Sequence, residues 1–176
     1  QADAAMYQGK IAGRHTVRFY HESMALAATE RVQLESELRA ALADDALDLY
    51  FQPQVTLDQG VSGAEALLRW PHPTRGFVPP DKFIAVAEDS NLIHALGEWV
   101  VARALKVYKT WQEDGLDTVG HVSINISSRQ FRAPDFVQRI EQQRAAAGVD
   151  ARHVVLELTE RTVIDDIEGT IEKMHA

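Results

Sequence analysis

The chain has 176 residues, 45% of them hydrophobic and 25% charged, with a formal net charge of −8 and no cysteine. The acidic balance disfavours a nucleic-acid partner, which would want a basic stripe. The lack of thiols excludes disulfides and thiolate metal sites and suits a reducing, cytoplasmic setting, while no apolar run of about 18 residues predicts a membrane span or membrane contact.

The chain begins at Gln1 with no signal-peptide pattern and reads as a segment of a longer protein. Residues 2–12 are alanine-rich and stop at Gly13, and residues 15–20 (HTVRFY) are β-prone. This opening is too short for a domain and reads as the tail of something upstream. Residues 23–44 contain neither glycine nor proline. Leu34, Leu38, Ala41 and Leu42 fall at helical spacing, and Arg31, Glu35 and Arg39 follow one another at i, i+4. One long helix is predicted, either a cover helix or a linker between domains.

Residues 47–57 and 61–70 form two strand candidates around the turn Asp58-Gln59-Gly60, which predicts an antiparallel hairpin. Pro80 then opens a helix bearing Phe83, Ile84 and Ala87. A second helix spans about residues 94–113, with Val100, Val101, Ala104, Leu105, Tyr108 and Trp111 on one side. Residues 120–127 (GHVSINIS) alternate strictly, as a half-buried strand does. Residues 134–147 form a helix closed by Gly148, residues 153–159 (HVVLELT) a strand, and residues 167–174 a helix. Strands alternating with helices predict an α/β fold of parallel strands, either an open doubly wound sheet or a (β/α) barrel. No glycine-rich phosphate loop follows a strand, which weakens the dinucleotide-binding version. A full barrel takes about 250 residues, so the chain holds roughly half of one.

Three strands carry oxygen ligands near their ends: Glu65, Asn125 and Glu157. In a parallel barrel these ends meet at one mouth. Two carboxylates and an amide suit Mg²⁺ or Mn²⁺ rather than zinc. The 7 histidines are scattered, with none at the i, i+4 spacing of a helical zinc site. The ordinary alternative is that a Glu flanked by leucines points outward from a half-buried strand. Arg69 can reach a phosphate in bidentate fashion or lie on Trp70. Gln52 can bind a ligand or merely cap its strand.

The stretch EALLRW (residues 65–70) resembles the signature of EAL domains. Residues 50–55 (YFQPQV), 79–93 (PPDKFIAVAEDSNLI), 123–131 (SINISSRQF) and 157–160 (ELTE) resemble further blocks of that family, in the right order. Residues 2–20 resemble the end of a GGDEF domain. The resemblance implies three parts: residues 1–22 as a GGDEF tail, 23–44 as a linker helix, and 45–176 as the N-terminal portion of an EAL domain. The implied fold is a partial TIM-like barrel with an antiparallel first strand. The implied activity is hydrolysis of cyclic di-GMP to linear pGpG by two-metal catalysis. The metal ligands would be Glu65, Asn125 and Glu157. Gln52, Leu67 and Arg69 would face the substrate, and Glu160 would steady a loop.

The family pattern continues with a DDFG block, then a lysine and a glutamate on later strands, which these residues lack. Asp165-Asp166 is followed by Ile167-Glu168 and reads as a helix N-terminus. The expectation is a parent protein that hydrolyses cyclic di-GMP, an upstream GGDEF partner, and a segment that is inactive alone and self-associates through its open edge. The alternative is a non-catalytic cyclic di-GMP-binding or regulatory EAL domain.

Overall fold

A computed structural model describes residues 22–57, 60–116, 119–158 and 167–174. In chain order they form helix α1 (Glu22–Ala43), strands β1 (Asp48–Thr56), β2 (Gly60–His72) and β3 (Gly76–Val78), and helices α2 (Pro80–Asp89) and α3 (Leu92–Glu113). Strand β4 (Val122–Asn125), helices α4 (Ser128–Phe131) and α5 (Phe136–Ala147), a 3-10 turn (Ala151–His153), strand β5 (Val154–Glu157) and helix α6 (Ile167–Met174) follow.

The sheet runs β1-β2-β4-β5, with β3 folded back on the far end of β2. β1 lies antiparallel to β2, from Asp48 opposite Arg69 to Thr56 opposite Gly60, with a bulge between Gln54 and Val55. β4 is parallel to both β2 and β5. Among the described residues the sheet is open, with β1 and β5 at its edges. It is nevertheless curled. Neighbouring strands stand about 4.8 Å apart, so three steps from β1 to β5 span about 14 Å in a flat sheet. Gln54 on β1 and Glu157 on β5 are within hydrogen-bond reach at 3.3 Å, which only a concave sheet allows.

Side chains alternate between the faces of a strand, and here the two faces differ in chemistry. The outer face carries Leu49, Ala66, Val122 and Ile124, all buried against Val101, Ala104, Leu105 and Tyr108 of α3 and Phe136 of α5. Phe51 meets Trp111 edge-on at 4.8 Å between centroids. A second core gathers Leu34, Leu38 and Ala41 of α1 with Trp70, Val78, Phe83 and Val86. Half-buried Leu68 and Trp99 pack against both cores. The concave face carries Tyr50, Gln52, Gln54, Glu65, Arg69, Ser123, Asn125 and Glu157.

The long predicted helix and the hairpin form as expected, and α3 starts two residues earlier, at Leu92. Its N-cap Asn91 takes a left-handed φ of 63°, which asparagine tolerates better than most residues. Gly148 closes α5 with a φ of 66°, the left-handed C-cap that glycine adopts without steric cost. Three expectations change. The helix predicted from Pro134 begins at Phe136 as α5, and the short helix α4 ahead of it was not anticipated. A capping box starts α4: the Gln130 backbone N–H donates to the Ser127 side chain, and the Gln130 side chain accepts from the Ser127 N–H. β3 was not anticipated, being only 3 residues long. β4 is shorter than its alternating stretch, and Ser123 is as buried as its apolar neighbours at 1% exposure. The alternation there separates a polar inner face from an apolar outer one, not buried from exposed. Asp165-Asp166, Glu160 and residues 1–21 lie outside the described residues.

Candidate active site

The parallel register of β2, β4 and β5 decides what meets at the mouth of the curl. Glu65 is opposite Ser123, and Ala66 opposite Ile124. Asn125 is opposite Glu157. All three expected ligands therefore point to the concave side near the ends of the parallel ladders. Asn125 Nδ2 donates to Glu65 Oε1 at 2.6 Å, which leaves the amide oxygen of Asn125 and the second oxygen of Glu65 as free donors toward a cation. Glu157 follows on the next strand.

Glu65 sits earlier in its strand than the sequence suggests. β2 runs for 13 residues, and its continuation beyond the parallel ladder pairs with β1 and then β3. The end of the parallel pairing, not of the strand, is what places Glu65 at the mouth.

Among the described residues no three His, Asp or Glu side chains group closely enough to hold a metal by themselves. The candidate set is two carboxylates and one amide, all oxygen. That donor chemistry fits a hard divalent cation such as Mg²⁺ or Mn²⁺.

Leu67 and Arg69 continue along β2 on the same side as Glu65. Gln52 is the β1 register partner of Glu65, and Tyr50 that of Leu67. Arg69 donates to the Leu68 carbonyl at 3.0 Å, and its guanidinium lies over the Tyr50 ring at 5.5 Å, not over Trp70. Trp70 alternates to the other face and is buried against Phe83, edge-on at 5.4 Å. The arginine thus stands at the rim, held by contacts it can exchange for an anion.

Sequence reasoning missed four residues here: Tyr50, Gln54, His121 and Ser123. Tyr50 carries Arg69. Gln54 Oε1 is 2.8 Å from His121 Nε2 and accepts from Ser123 Oγ at 3.3 Å, while its Nε2 donates to Glu157 Oε1. The available signal was parity: Gln54 is two residues from Gln52 and shares its face.

An α/β sheet curled around a polar mouth, with an antiparallel first strand and oxygen donors at the parallel strand ends, has the architecture of a (β/α) barrel. Residues 35–176 match the family model for the EAL domain, and the chain belongs to that family. It is 36% identical over 171 residues to MucR of Pseudomonas aeruginosa, a bifunctional diguanylate cyclase/cyclic di-GMP phosphodiesterase, covering 97% of this chain and 25% of that protein. It is 35% identical over 171 residues to the cyclic di-GMP phosphodiesterase NbdA of the same bacterium, covering 97% of this chain and 22% of that one. The solved PaMucR phosphodiesterase in complex with c-di-GMP superposes with a TM-score of 0.77 at 33% identity, over 81% of this chain and 58% of that one. The chain thus spans about a quarter of these curated relatives. Its fold is the TIM-barrel-like EAL type, with a sheet that is open among the described residues.

Proposed function

We propose that this segment is part of a metal-dependent cyclic di-GMP phosphodiesterase, which opens the cyclic dinucleotide to linear pGpG. The convergence of Glu65, Asn125 and Glu157 at the mouth of the curled sheet carries this reading. The likeness to relatives named for that activity supports it. In the reaction one P–O bond of the ring breaks, a water oxygen joins phosphorus, and the released ribose oxygen takes up the proton.

The residues divide the work by position. Glu65, Asn125 and Glu157 would hold the divalent ions, Mg²⁺ or Mn²⁺. When bound, such ions polarise a phosphodiester and acidify water. They would also offset the repulsion between a chain of net charge −8 and a dianionic ligand. Arg69 would leave Tyr50 to clamp a phosphate through two of its N–H groups. Leu67 and Gln52 would lie beside the substrate, and Glu160 would steady an active-site loop. A second ion needs donors beyond these three, so we expect the 176-residue chain alone to be inert and its parent active. In the parent, an upstream GGDEF domain would precede the linker helix.

The test is Mn²⁺-dependent conversion of cyclic di-GMP to pGpG, assayed in parallel on the parent and on this chain. Turnover by the parent that is lost in Glu65→Ala is the expected result. Clear turnover by the chain alone would refute the inertness. Binding without turnover by the parent would replace the enzyme reading with a non-catalytic sensor.

A further inference from the structure

The concave face holds a second polar group, deeper than the candidate ligands. Gln54 is at its centre. Its Oε1 has lone pairs only, so the 2.8 Å contact to His121 Nε2 requires the imidazole proton on that nitrogen. Ser123 Oγ donates to the same oxygen at 3.3 Å, from a side chain that is 1% exposed. With Oε1 committed to two donors, the amide orientation is fixed and Nε2 faces Glu157 Oε1 at 3.3 Å.

The backbone is arranged to let this happen. β2 lies between β1 and β4, so His121 must cross it to reach Gln54. It crosses at Gly63, where an added Cβ would lie 2.5 Å from the imidazole ring. Gly63 is also the β2 register partner of Gln54. The glycine opens a channel between Gln54 on β1 and His121, the residue just before β4, two strands away.

We propose that Gln54, locked by His121 and Ser123, is a positioning residue for the Glu157 carboxylate. It holds one carboxylate oxygen by an N–H, so that the other is presented toward the cation. This rests on the reading of Glu157 as a ligand. Among the described residues, Gln54 is the side chain that hydrogen-bonds the Glu157 carboxylate. Partners that orient a metal ligand are commonly worth about tenfold to a hundredfold in metal affinity.

The test is Mn²⁺ binding to the full chain by titration calorimetry, with no nucleotide present and folding checked by circular dichroism. Glu157→Gln, Gln54→Met, His121→Ala and the Gln54→Met/His121→Ala double variant are compared with the unchanged chain. Methionine keeps the length of glutamine and removes its donor. Glu157→Gln should weaken binding by roughly tenfold or more, Gln54→Met by roughly tenfold, and His121→Ala by less. The double variant should be no weaker than Gln54→Met alone, because histidine acts through the glutamine. If Gln54→Met fails to fold, His121→Ala carries the test. Loss in Glu157→Gln with the Gln54 and His121 variants within about twofold of the unchanged chain would overturn the positioning role and leave the ligand reading standing. No Mn²⁺ binding, or none lost in Glu157→Gln, would overturn both.

Discussion

At the residue scale, close contacts give predictions that helix propensity alone would get wrong. Gly97 lies inside α3, where alanine is ordinarily better by about 1 kcal/mol. An added Cβ there would sit 1.6 Å from Gln130 Nε2. Gln130 is buried and its Oε1 accepts from Ser127 N and Oγ, at 3.2 and 2.8 Å. Displacing it breaks the capping box of α4. Gly97→Ala should therefore destabilise by about 1–3 kcal/mol in urea unfolding. In a Gln130→Ala background the same change should become neutral or stabilising. A stabilising effect in the unaltered chain would mean that Gln130 moves aside freely. Trp70 is the second such position. It is 1% exposed and joins α1, α2 and the β2–β3 hairpin in one core. Trp70→Ala should cost about 3–5 kcal/mol by the same measurement.

At the element scale, α1 is held by charge as well as by its apolar stripe. Arg75 donates to Glu37 at 2.8 Å, Lys82 donates to Glu30 at 2.8 Å, and Arg31 pairs with Asp89. These pairs tie α1 to α2 and to the β2–β3 turn. The Arg75 hydrogen bond holds the Glu37 carboxyl below its ordinary 4.5, and Lys82 does the same for Glu30. A lowered folded pKa means that the contribution is present above the ordinary value and is lost as pH falls through the folded one. The thermal midpoint should therefore drop between about pH 5 and about pH 3, and Glu37→Gln should flatten that acid limb. Each pair is largely solvated, so the individual effects are small and should shrink further with salt. An acid limb that Glu37→Gln leaves unchanged would assign the pH response to other carboxylates.

At the scale of the whole molecule, the open sheet sets the expected behaviour. Among the described residues β5 pairs only with β4 and β1 only with β2. Both edges therefore offer unpaired backbone groups to another chain. Val55, exposed at 71%, lies on one edge and Val155 on the other. We propose that the isolated chain self-associates. The net charge of −8 opposes this at low ionic strength. The screening length falls from about 30 Å at 0.01 M salt to about 10 Å at 0.1 M, so association should increase with salt. Light scattering across that range is the check, and a monomer at every concentration would count against it.

The sequence alone determined the elements whose residues carry their own instructions. The glycine-free stretch made α1, Pro80 opened α2, Gly148 stopped α5, and EALLRW with its companion blocks identified the family. That Glu65, Asn125 and Glu157 share one face near the parallel strand ends was legible, because strand ends are where a barrel collects its chemistry. Pairing was not legible. That Gln54 meets Glu157, that Arg69 rests on Tyr50 rather than Trp70, and that His121 passes over Gly63 depend on register and curvature. These are set by how helices pack on the outer face of the sheet. Local periodicity says which face a side chain takes, but only the tertiary structure decides which strands that face brings together, because those contacts join residues far apart in the chain.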